Sequence, residues 1–310
     1  MRGKKGAPPP ETTETKESDE ENPMSGIERI HPTEFGAAAA LMAGKRGLIM
    51  GVANRHSIAW GIARALRRHG ARLAFTYQNE TLEKRVRPLA AAVDAGLVVP
   101  CQAESDLSLD AAFAQVAREW GNLDFVVHAI AYSNKDELKG RYLDTSRENF
   151  LTTLDISCYS FTAVARRAAA LMPNGGSLLT LSFLGAERVV PNYNVMGVAK
   201  AALEASVRYL AADLGPQGVR VNAISAGPVR TLAGSAIAGA REIFRFAQAN
   251  SPLRRPVALE DLGGSALYLL SDLAAGVTGE IHHVDSGYHA IAMPPPGNGA
   301  GGAGDPGAPA

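Results

Sequence analysis

Residues 47–61 read GLIMGVANRHSIAWG, and this stretch decides the fold. It begins with a short apolar run that we predict to be a buried strand, and from Ile58 it continues as an amphipathic segment that we predict to be a helix. Gly51 stands at the exit of the strand, Ser57 has the position of a helix N-cap, and Gly61 is expected where the helix packs closely on the strand. A strand that turns directly into a helix is typical of a parallel α/β sheet.

The same alternation continues along the chain. Apolar runs that we interpret as strands lie at 47–50, 72–77, 97–101, 123–128, 177–181, 219–224 and 280–284. Helical stretches lie at 58–69, 81–93, 109–120, 150–171 and 262–270, together with the helix that follows Tyr193. Right-handed crossovers make such strands parallel and cover the sheet on both faces. We predict an α/β fold with a doubly wound, parallel, seven-stranded, Rossmann-like sheet in a single domain over residues 41–293.

The two ends of the chain differ in composition from this domain. Residues 1–40 combine a basic, Pro-rich start with an acidic Thr/Glu-rich run, a composition that buries too little apolar surface to fold. Residues 294–310 are rich in Gly, Ala and Pro. We expect both to be disordered tails. Met24 leaves a downstream start of the chain open.

Composition narrows the class of partner. The formal net charge is zero, with 31 basic and 31 acidic residues, so we expect a small-molecule ligand and neither nucleic acid nor membrane as a partner. The two cysteines, Cys101 and Cys158, lack metal-ligand spacing with any histidine. We interpret them as buried thiols in a reducing compartment, expect no metal site, and expect the cytoplasm, since no apolar run approaches the roughly 20 residues of a membrane span.

The stretch PNYNVMGVAK, at 191–200, contains the first candidate for chemistry. Tyr193 and Lys200 are separated by close to two helical turns, so a phenol and an ammonium group can face one cavity. We expect the lysine to lower the tyrosine pKa and so to favour donation of a proton or hydrogen bond to an oxygen that gains negative charge. An isolated Tyr-x6-Lys pair is more often an interfacial tyrosine beside a solvated lysine.

The first two strands indicate a nucleotide site, because ligands of such sheets lie beyond the carboxyl ends of the strands. Gly51 and Ser57 are placed to bring a pyrophosphate to a helix N-terminus, although the turn is not Gly-x-Gly-x-x-Gly. Gln78 follows the second strand, where it can bind a ribose 2′-hydroxyl and offers no cation to a 2′-phosphate. NADH is therefore favoured over NADPH, unless Lys84 or Arg85 reaches the phosphate.

With these motifs in order, the chain resembles the bacterial NADH-dependent enoyl-acyl-carrier-protein reductases, a branch of the short-chain dehydrogenase/reductase superfamily, over roughly residues 42–293. The matching segments are 51–53 with 57–59, 75–79, 185–188, 191–197, 220–232, 279–280 and 284–287. The Tyr-x6-Lys spacing is similar to that of the enoyl reductases, whereas ordinary members of the superfamily have Tyr-x3-Lys.

The resemblance implies hydride transfer to C3 of a trans-2-enoyl thioester in type II fatty acid biosynthesis. Tyr193 would bind the thioester oxygen and Lys200 the nicotinamide ribose, while Ser133 would contact the substrate. The residues implied to line NADH are Gly51, Ser57, Ile58, Gln78, Gln102, Ala103, Ile130, Lys200, Val229, Arg230, Thr231, Leu232 and Ala233.

The resemblance also implies partners. A homotetramer would use the helix at 150–171 and the Tyr/Lys helix as interfaces. A lid at 233–250 would order over the substrate, and acyl carrier protein would meet Arg241 and Arg245 weakly and in a salt-sensitive way.

Three positions depart from the family pattern. Phe183, which we place in the catalytic site, stands where the family usually has a second tyrosine; Gln102 replaces an adenine-binding aspartate; and Ala131 replaces a glycine. Two alternatives stay open. One is an ordinary carbonyl or alcohol dehydrogenase, with Thr180 at the position of its usual serine, and the other is a non-catalytic NADH sensor.

Overall fold

The computed structural model describes residues 40–231 and 239–293. The strands are β1 (Arg46–Met50), β2 (Arg72–Tyr77), β3 (Leu97–Pro100), β4 (Phe125–His128), β5 (Gly176–Ser182), β6 (Val219–Ala226) and β7 (Ile281–Val284). The α-helices are α1 (Ile58–Arg68), α2 (Glu80–Ala92), α3 (Asp106–Trp120), α4 (Arg147–Leu154), α5 (Ser160–Ala170), α6 (Asn194–Leu214), α7 (Ala240–Asn250) and α8 (Leu259–Leu270). The tails predicted at the two ends lie outside the described residues, apart from residue 40.

The seven strands form one parallel sheet in the order β3-β2-β1-β4-β5-β6-β7. The predicted doubly wound, Rossmann-like sheet is therefore confirmed. The order reverses between β1 and β4, whose last residues, Met50 and His128, are paired. A ligand crevice is expected at this switch point.

The core lies on both faces of the sheet. On β1, Ile49 belongs to the apolar cluster under α1, α2 and α8, whereas Leu48 and Met50 belong to the cluster under α3, α5 and α6. All three side chains are fully buried. Alternate residues of a central parallel strand point to opposite faces, so a continuous apolar run was needed to bury both.

The helix predicted at 150–171 is interrupted. α4 and α5 are joined by a π-helical turn, Asp155–Tyr159. Within this turn, the Ser157 hydroxyl accepts a hydrogen bond from the Tyr132 amide and donates one to the Tyr132 carbonyl, each at 2.9 Å. The turn therefore attaches the loop after β4 to this helix, and π-turns are frequent at functional sites.

Gly61 corrects one expectation from the sequence. A Cβ atom at this position would lie 2.8 Å from Leu259 Cβ, which belongs to α8. Gly263 on α8 lies opposite Gly61, and a Cβ atom on Gly263 would lie 3.0 Å from the Gly61 carbonyl oxygen. The close approach is thus between α1 and α8, two helices on the same face of the sheet, and not between helix and strand.

Among the described residues, no helix has both the length and the apolar character needed to cross a membrane.

Candidate active site

The turn after β1 lies against the end of β4. Gly51 has φ +94°, a left-handed conformation that favours glycine, and a Cβ atom on it would lie 2.1 Å from the Ala129 carbonyl oxygen. The Ala129 amide donates to the Met50 carbonyl at 3.1 Å. Glycine is therefore required at position 51, because the turn after β1 packs directly against the backbone that follows β4 at the switch point.

Ser57 occupies the N-cap position of α1, as predicted, but its hydroxyl does not cap the helix. The oxygen accepts hydrogen bonds from the amides of Ala53 at 3.0 Å and Asn54 at 3.1 Å, and so it closes the turn. α1 consequently begins without a side-chain cap. Free amides at a helix N-terminus attract phosphate, so this end of α1 fits the pyrophosphate of NADH.

The remaining predicted cofactor residues follow the neighbouring strands. Gln78 follows β2 directly and is exposed, Gln102 is exposed two residues after β3, and Ala103 beside it is buried. Ile130 follows β4 and packs partly into the core. Because the strands are parallel, the structure brings these residues to one edge of the sheet.

Tyr193 is the N-cap residue of α6, and 8% of it is exposed. The ring of Phe183 contacts it edge-on, with ring centroids 5.0 Å apart. Gly185 faces the same ring, and a Cβ on Gly185 would lie 2.4 Å from Tyr193 Cδ1. The phenol is therefore held between the end of β5 and the start of α6.

Burial raises the pKa of Tyr193, and the negative charge of Glu204 raises it further. The prediction that Lys200 lowers the tyrosine pKa was wrong, because desolvation of the phenolate and the negative charge of Glu204 determine the direction of the shift. The hydroxyl stays protonated at neutral pH. A neutral phenol is the form that can donate a hydrogen bond to a substrate oxygen.

Lys200 lies two turns further along α6 and is also buried, with 6% exposed. Its Nζ atom donates to the Leu181 carbonyl oxygen of β5 at 2.7 Å. Burial lowers the pKa of Lys200 to about 8, against the opposing charges of Cys158 and Glu204. The ammonium form therefore prevails at neutral pH and is lost as the pH rises through about 8.

His128, at the end of β4, faces the interior and not the ligand edge. Its ring nitrogens lie 3.1 Å from Thr180 Oγ1 and 2.9 Å from Ser160 Oγ. Burial, with the charge of Lys200, lowers its pKa to about 3. The imidazole is neutral at physiological pH and joins β4, β5 and α5 as a structural link.

Ser133 belongs to the loop between β4 and α4. Its hydroxyl lies 3.3 Å from Asn149 Oδ1 and 2.9 Å from Thr153 Oγ1. The Asn134 amide donates to the same Asn149 oxygen at 2.9 Å. α4 thus fixes the loop that carries the candidate substrate residue, and Ala131 is an exposed residue of the same loop.

The segment after β6 contains the last predicted cofactor residues. The Thr231 amide donates to the Val229 carbonyl at 2.8 Å, and Arg230 between them is exposed. Leu232 and Ala233 lie outside the described residues, as does the part of the predicted lid at 233–238. From Ala240 to Asn250 the predicted lid is the helix α7, where Arg245 pairs with Glu242 at 3.7 Å.

The sequence interpretation missed three residues that shape the site. Asn194 Nδ2 donates to the carbonyls of Leu138 at 3.1 Å and Gly140 at 3.3 Å, and so attaches the start of α6 to the loop after β4. Asn149 and Glu204 are buried polar residues. A polar residue on the apolar face of a predicted helix was the available signal for Glu204.

Comparison with known proteins gives consistent results. The sequence profile of the family Enoyl-(Acyl carrier protein) reductase matches residues 51–289. The "Enoyl-[acyl-carrier-protein] reductase [NADH] 2" of Rhizobium meliloti is 65% identical over 254 residues, which cover 82% of this chain and 95% of the relative.

Two solved structures are also similar. The reductase of Anaplasma phagocytophilum, solved in complex with NAD, is 61% identical with a TM-score of 0.81 and covers 83% of this chain and 98% of that one. The Bacillus cereus Enoyl-Acyl Carrier Protein Reductase, solved with NADP⁺ and an indole naphthyridinone, is 53% identical with a TM-score of 0.80. That match covers 82% of this chain and 99% of the Bacillus chain.

Proposed function

The chain belongs to the enoyl-(acyl carrier protein) reductase family, and from this premise we propose which of its residues carry out the reaction. The enzyme reduces the trans-2 double bond of enoyl-acyl-carrier-protein thioesters with NADH in fatty acid biosynthesis. The observation that supports the assignment of residues is the pair Tyr193 and Lys200, both buried on α6 beside the carboxyl end of β5.

NADH fits the ligand edge of the sheet. Gly51 lets the turn after β1 pack against the end of β4, the uncapped start of α1 with Ser57 and Ile58 receives the pyrophosphate, and Gln78 binds the adenosine ribose. The adenine would meet Gln102 and Ala103. The nicotinamide half of the cofactor would be lined by Ile130, Val229, Arg230 and Thr231. The resemblance to the family adds Leu232 and Ala233 to this set. When bound, NADH supplies the hydride that is added to C3 of the enoyl thioester.

Tyr193 donates a hydrogen bond to the thioester oxygen. This oxygen gains negative charge as the enolate forms, so the bond strengthens in the transition state and lowers the barrier. The raised pKa of the buried phenol keeps the donor proton in place. Lys200 binds the nicotinamide ribose hydroxyls and adds positive potential. Phe183 packs against the Tyr193 ring and the acyl thioester, and Ser133 contacts the substrate.

One alternative from the sequence, a carbonyl or alcohol dehydrogenase, needs a hydroxyl at position 180 that polarises a ketone. Thr180 Oγ1 instead donates to the His128 carbonyl oxygen at 3.1 Å and is fully buried. The Thr180 hydroxyl proton is therefore already used in a hydrogen bond inside the sheet and is not available to a ketone. The other alternative, a sensor without turnover, has no need for a buried phenol and a buried ammonium group that both contact the end of β5 and the residue after it.

The test is oxidation of NADH, followed at its absorbance band, with crotonyl thioesters of acyl carrier protein and of coenzyme A. Turnover with both, and none with simple ketones, is the expected result. Turnover of ketones alone would establish the dehydrogenase, and NADH binding without any turnover would establish the sensor.

The assembly is part of the proposal. We expect a homotetramer with two-fold axes, in which α4 and α5 form one interface and α6 another. Exposed apolar side chains on these helices support it: Leu151 on α4, Tyr159 in the π-turn, and Val198 and Tyr209 on α6. Acyl carrier protein would meet Arg241 and Arg245, weakly, since Glu242 already pairs with Arg245. We place the enzyme in the cytoplasm, consistent with two free cysteines.

A further inference from the structure

Glu204 is a carboxylate inside the protein. It lies on α6 one turn beyond Lys200, and 6% of it is exposed, as for the lysine. Removing a carboxylate from water costs free energy unless hydrogen bonds and opposite charges offset the loss. The surroundings of Glu204 supply both.

Glu204 and Lys200 bind consecutive residues of β5. The Ser182 hydroxyl donates to Glu204 Oε1, and Lys200 Nζ donates to the Leu181 carbonyl oxygen at 2.7 Å. Ser182 is the last residue of β5, and the next residue, Phe183, contacts the Tyr193 ring. These two side chains therefore fix the end of β5 against α6, the helix that begins after Tyr193 and contains Lys200.

Charged and titratable groups face this pair from several elements. Around Lys200 they are Glu204 of α6, Cys158 of the π-turn and His128 of β4. Around Glu204 they are Arg208 of α6, Glu187 after β5 and His283 of β7, in addition to Lys200 and Tyr193. His283 Nε2 lies 2.8 Å from Glu187 Oε1, so these two form a pair of their own.

Among the groups that face Lys200, Glu204 supplies a carboxyl group, and its negative charge raises the pKa of the lysine. His128 is uncharged at neutral pH, and burial raises the pKa of the Cys158 thiol. Burial also raises the pKa of Glu204, while the hydrogen bond from Ser182 opposes that rise. Ionised Glu204 favours the charged form of the lysine, against the desolvation that favours the neutral amine.

We propose that Glu204 is a positioning residue for the reduction: its carboxylate binds Ser182, fixes the end of β5 against α6, and holds Lys200 as an ammonium ion available to the cofactor ribose. This inference rests on the proposed role of Lys200. It adds a residue that touches neither substrate nor cofactor and that acts through its two neighbours.

The test compares Glu204→Gln with the wild type and with Glu119→Gln, which removes one negative charge from an exposed position on α3. NADH affinity is measured by fluorescence titration from about pH 6 to about pH 9.5. Affinity of the wild type falls as Lys200 loses its proton, through about pH 8. In Glu204→Gln the midpoint of this fall moves to lower pH by about half a unit or more, because the stabilising anion is gone.

At about pH 6, where the lysine is charged in both proteins, the affinities agree within about twofold. Glu119→Gln keeps the wild-type midpoint. An unchanged midpoint in a folded Glu204→Gln variant would overturn the proposal, even if its melting temperature fell, because a purely structural role lowers stability without moving a pH profile.

Two further variants keep the result interpretable. If Glu204→Gln does not fold, Glu204→Met removes the charge while filling a similar volume, and the same downward shift is expected. Lys200→Ala separates the role of Lys200 from that of Glu204. If it binds NADH as the wild type does, the ribose role of Lys200 is wrong. If it weakens binding while the midpoint of Glu204→Gln stays in place, only the role of Glu204 is wrong.

Discussion

Asn192 and Asn194 flank Tyr193, and both have left-handed backbone conformations, with φ of 60° and 38°. Asparagine tolerates this region better than most residues, because its short side chain can bind nearby backbone groups. The Asn194 side chain instead donates to carbonyls that are distant in the chain, those of Leu138 and Gly140 in the loop after β4. The direction of the phenol at the start of α6 therefore depends on its two neighbours as well as on the helix.

Replacing Tyr193 with phenylalanine removes one hydroxyl from this arrangement. We expect turnover with crotonyl thioester to fall at least about tenfold, because the lost bond acts on the developing enolate. NADH affinity should change little. Steady-state kinetics and a NADH titration measure the two effects, and unchanged turnover would transfer the oxyanion role to another donor, such as bound water.

We propose that a single residue, Gln78, also governs the choice of cofactor. We expect kcat/KM with NADH to exceed that with NADPH at least about tenfold, since a 2′-phosphate beside a neutral amide finds no matching cation. The Bacillus cereus relative was solved with NADP⁺, so the comparison needs kinetics and not binding alone. Equal efficiencies would mean that Lys84 or Arg85 reaches the phosphate. Gln78→Ala, which also lacks a cation, is the control and should not improve NADPH.

At the scale of elements, α1 and α8 approach each other through glycine. Gly263 lies at the contact, where a Cβ would come within 2.9 Å of Ala65 Cβ and 3.0 Å of the Gly61 carbonyl oxygen. Its neighbour Gly264 faces open space, with no atom within 4 Å of an added Cβ. One helix thus offers the same substitution in two opposite environments.

We predict that Gly263→Ala destabilises the enzyme by about 1–3 kcal/mol through overpacking. Gly264→Ala should stabilise it by about 0.5–1 kcal/mol, because alanine loses less conformational entropy in a helix. Chemical unfolding at one fixed protein concentration compares the two. If both variants lost stability equally, the close contact of α1 with α8 would not be the determinant.

The π-turn between α4 and α5 is an element that the sequence pattern did not predict. The long apolar periodicity at 150–171 predicted one helix, but Asp155–Tyr159 forms a π-turn. The π-turn contains neither Gly nor Pro, so no helix-breaking residue marks it in the sequence. The Ser157 hydroxyl makes two hydrogen bonds to the Tyr132 backbone. These bonds form only when the loop after β4 lies against the turn, so the local sequence does not predict them.

The whole molecule leaves apolar side chains on the outer surfaces of α4 and α6. Leu151 is 60% exposed and Tyr209 is 75% exposed. Side chains of this kind on neighbouring helices are typical of an interface between subunits. They are the surfaces that we propose for the tetramer.

Light scattering coupled to size-exclusion chromatography should give the mass of a tetramer for the wild type. Leu151→Glu is expected to shift the enzyme to a smaller species, because a charge would be buried without a partner. Leu107→Glu on α3, where the leucine is 83% exposed, is the matched control and should keep the wild-type mass. A monomeric wild type, or dissociation by both variants alike, would contradict the proposed interface.

The sequence by itself determined the sheet, its parallel strands and the spacing of Tyr193 and Lys200 by about two turns along α6. These features depend on local periodicity and on spacing along one helix, both of which are written in consecutive residues. The tertiary structure decided three other features: the protonation of Tyr193, the helix that Gly61 contacts, and the partner of Glu204. Each depends on burial or on contact between residues distant in the chain. Desolvation and packing arise only when distant segments meet, so no local pattern could have shown them.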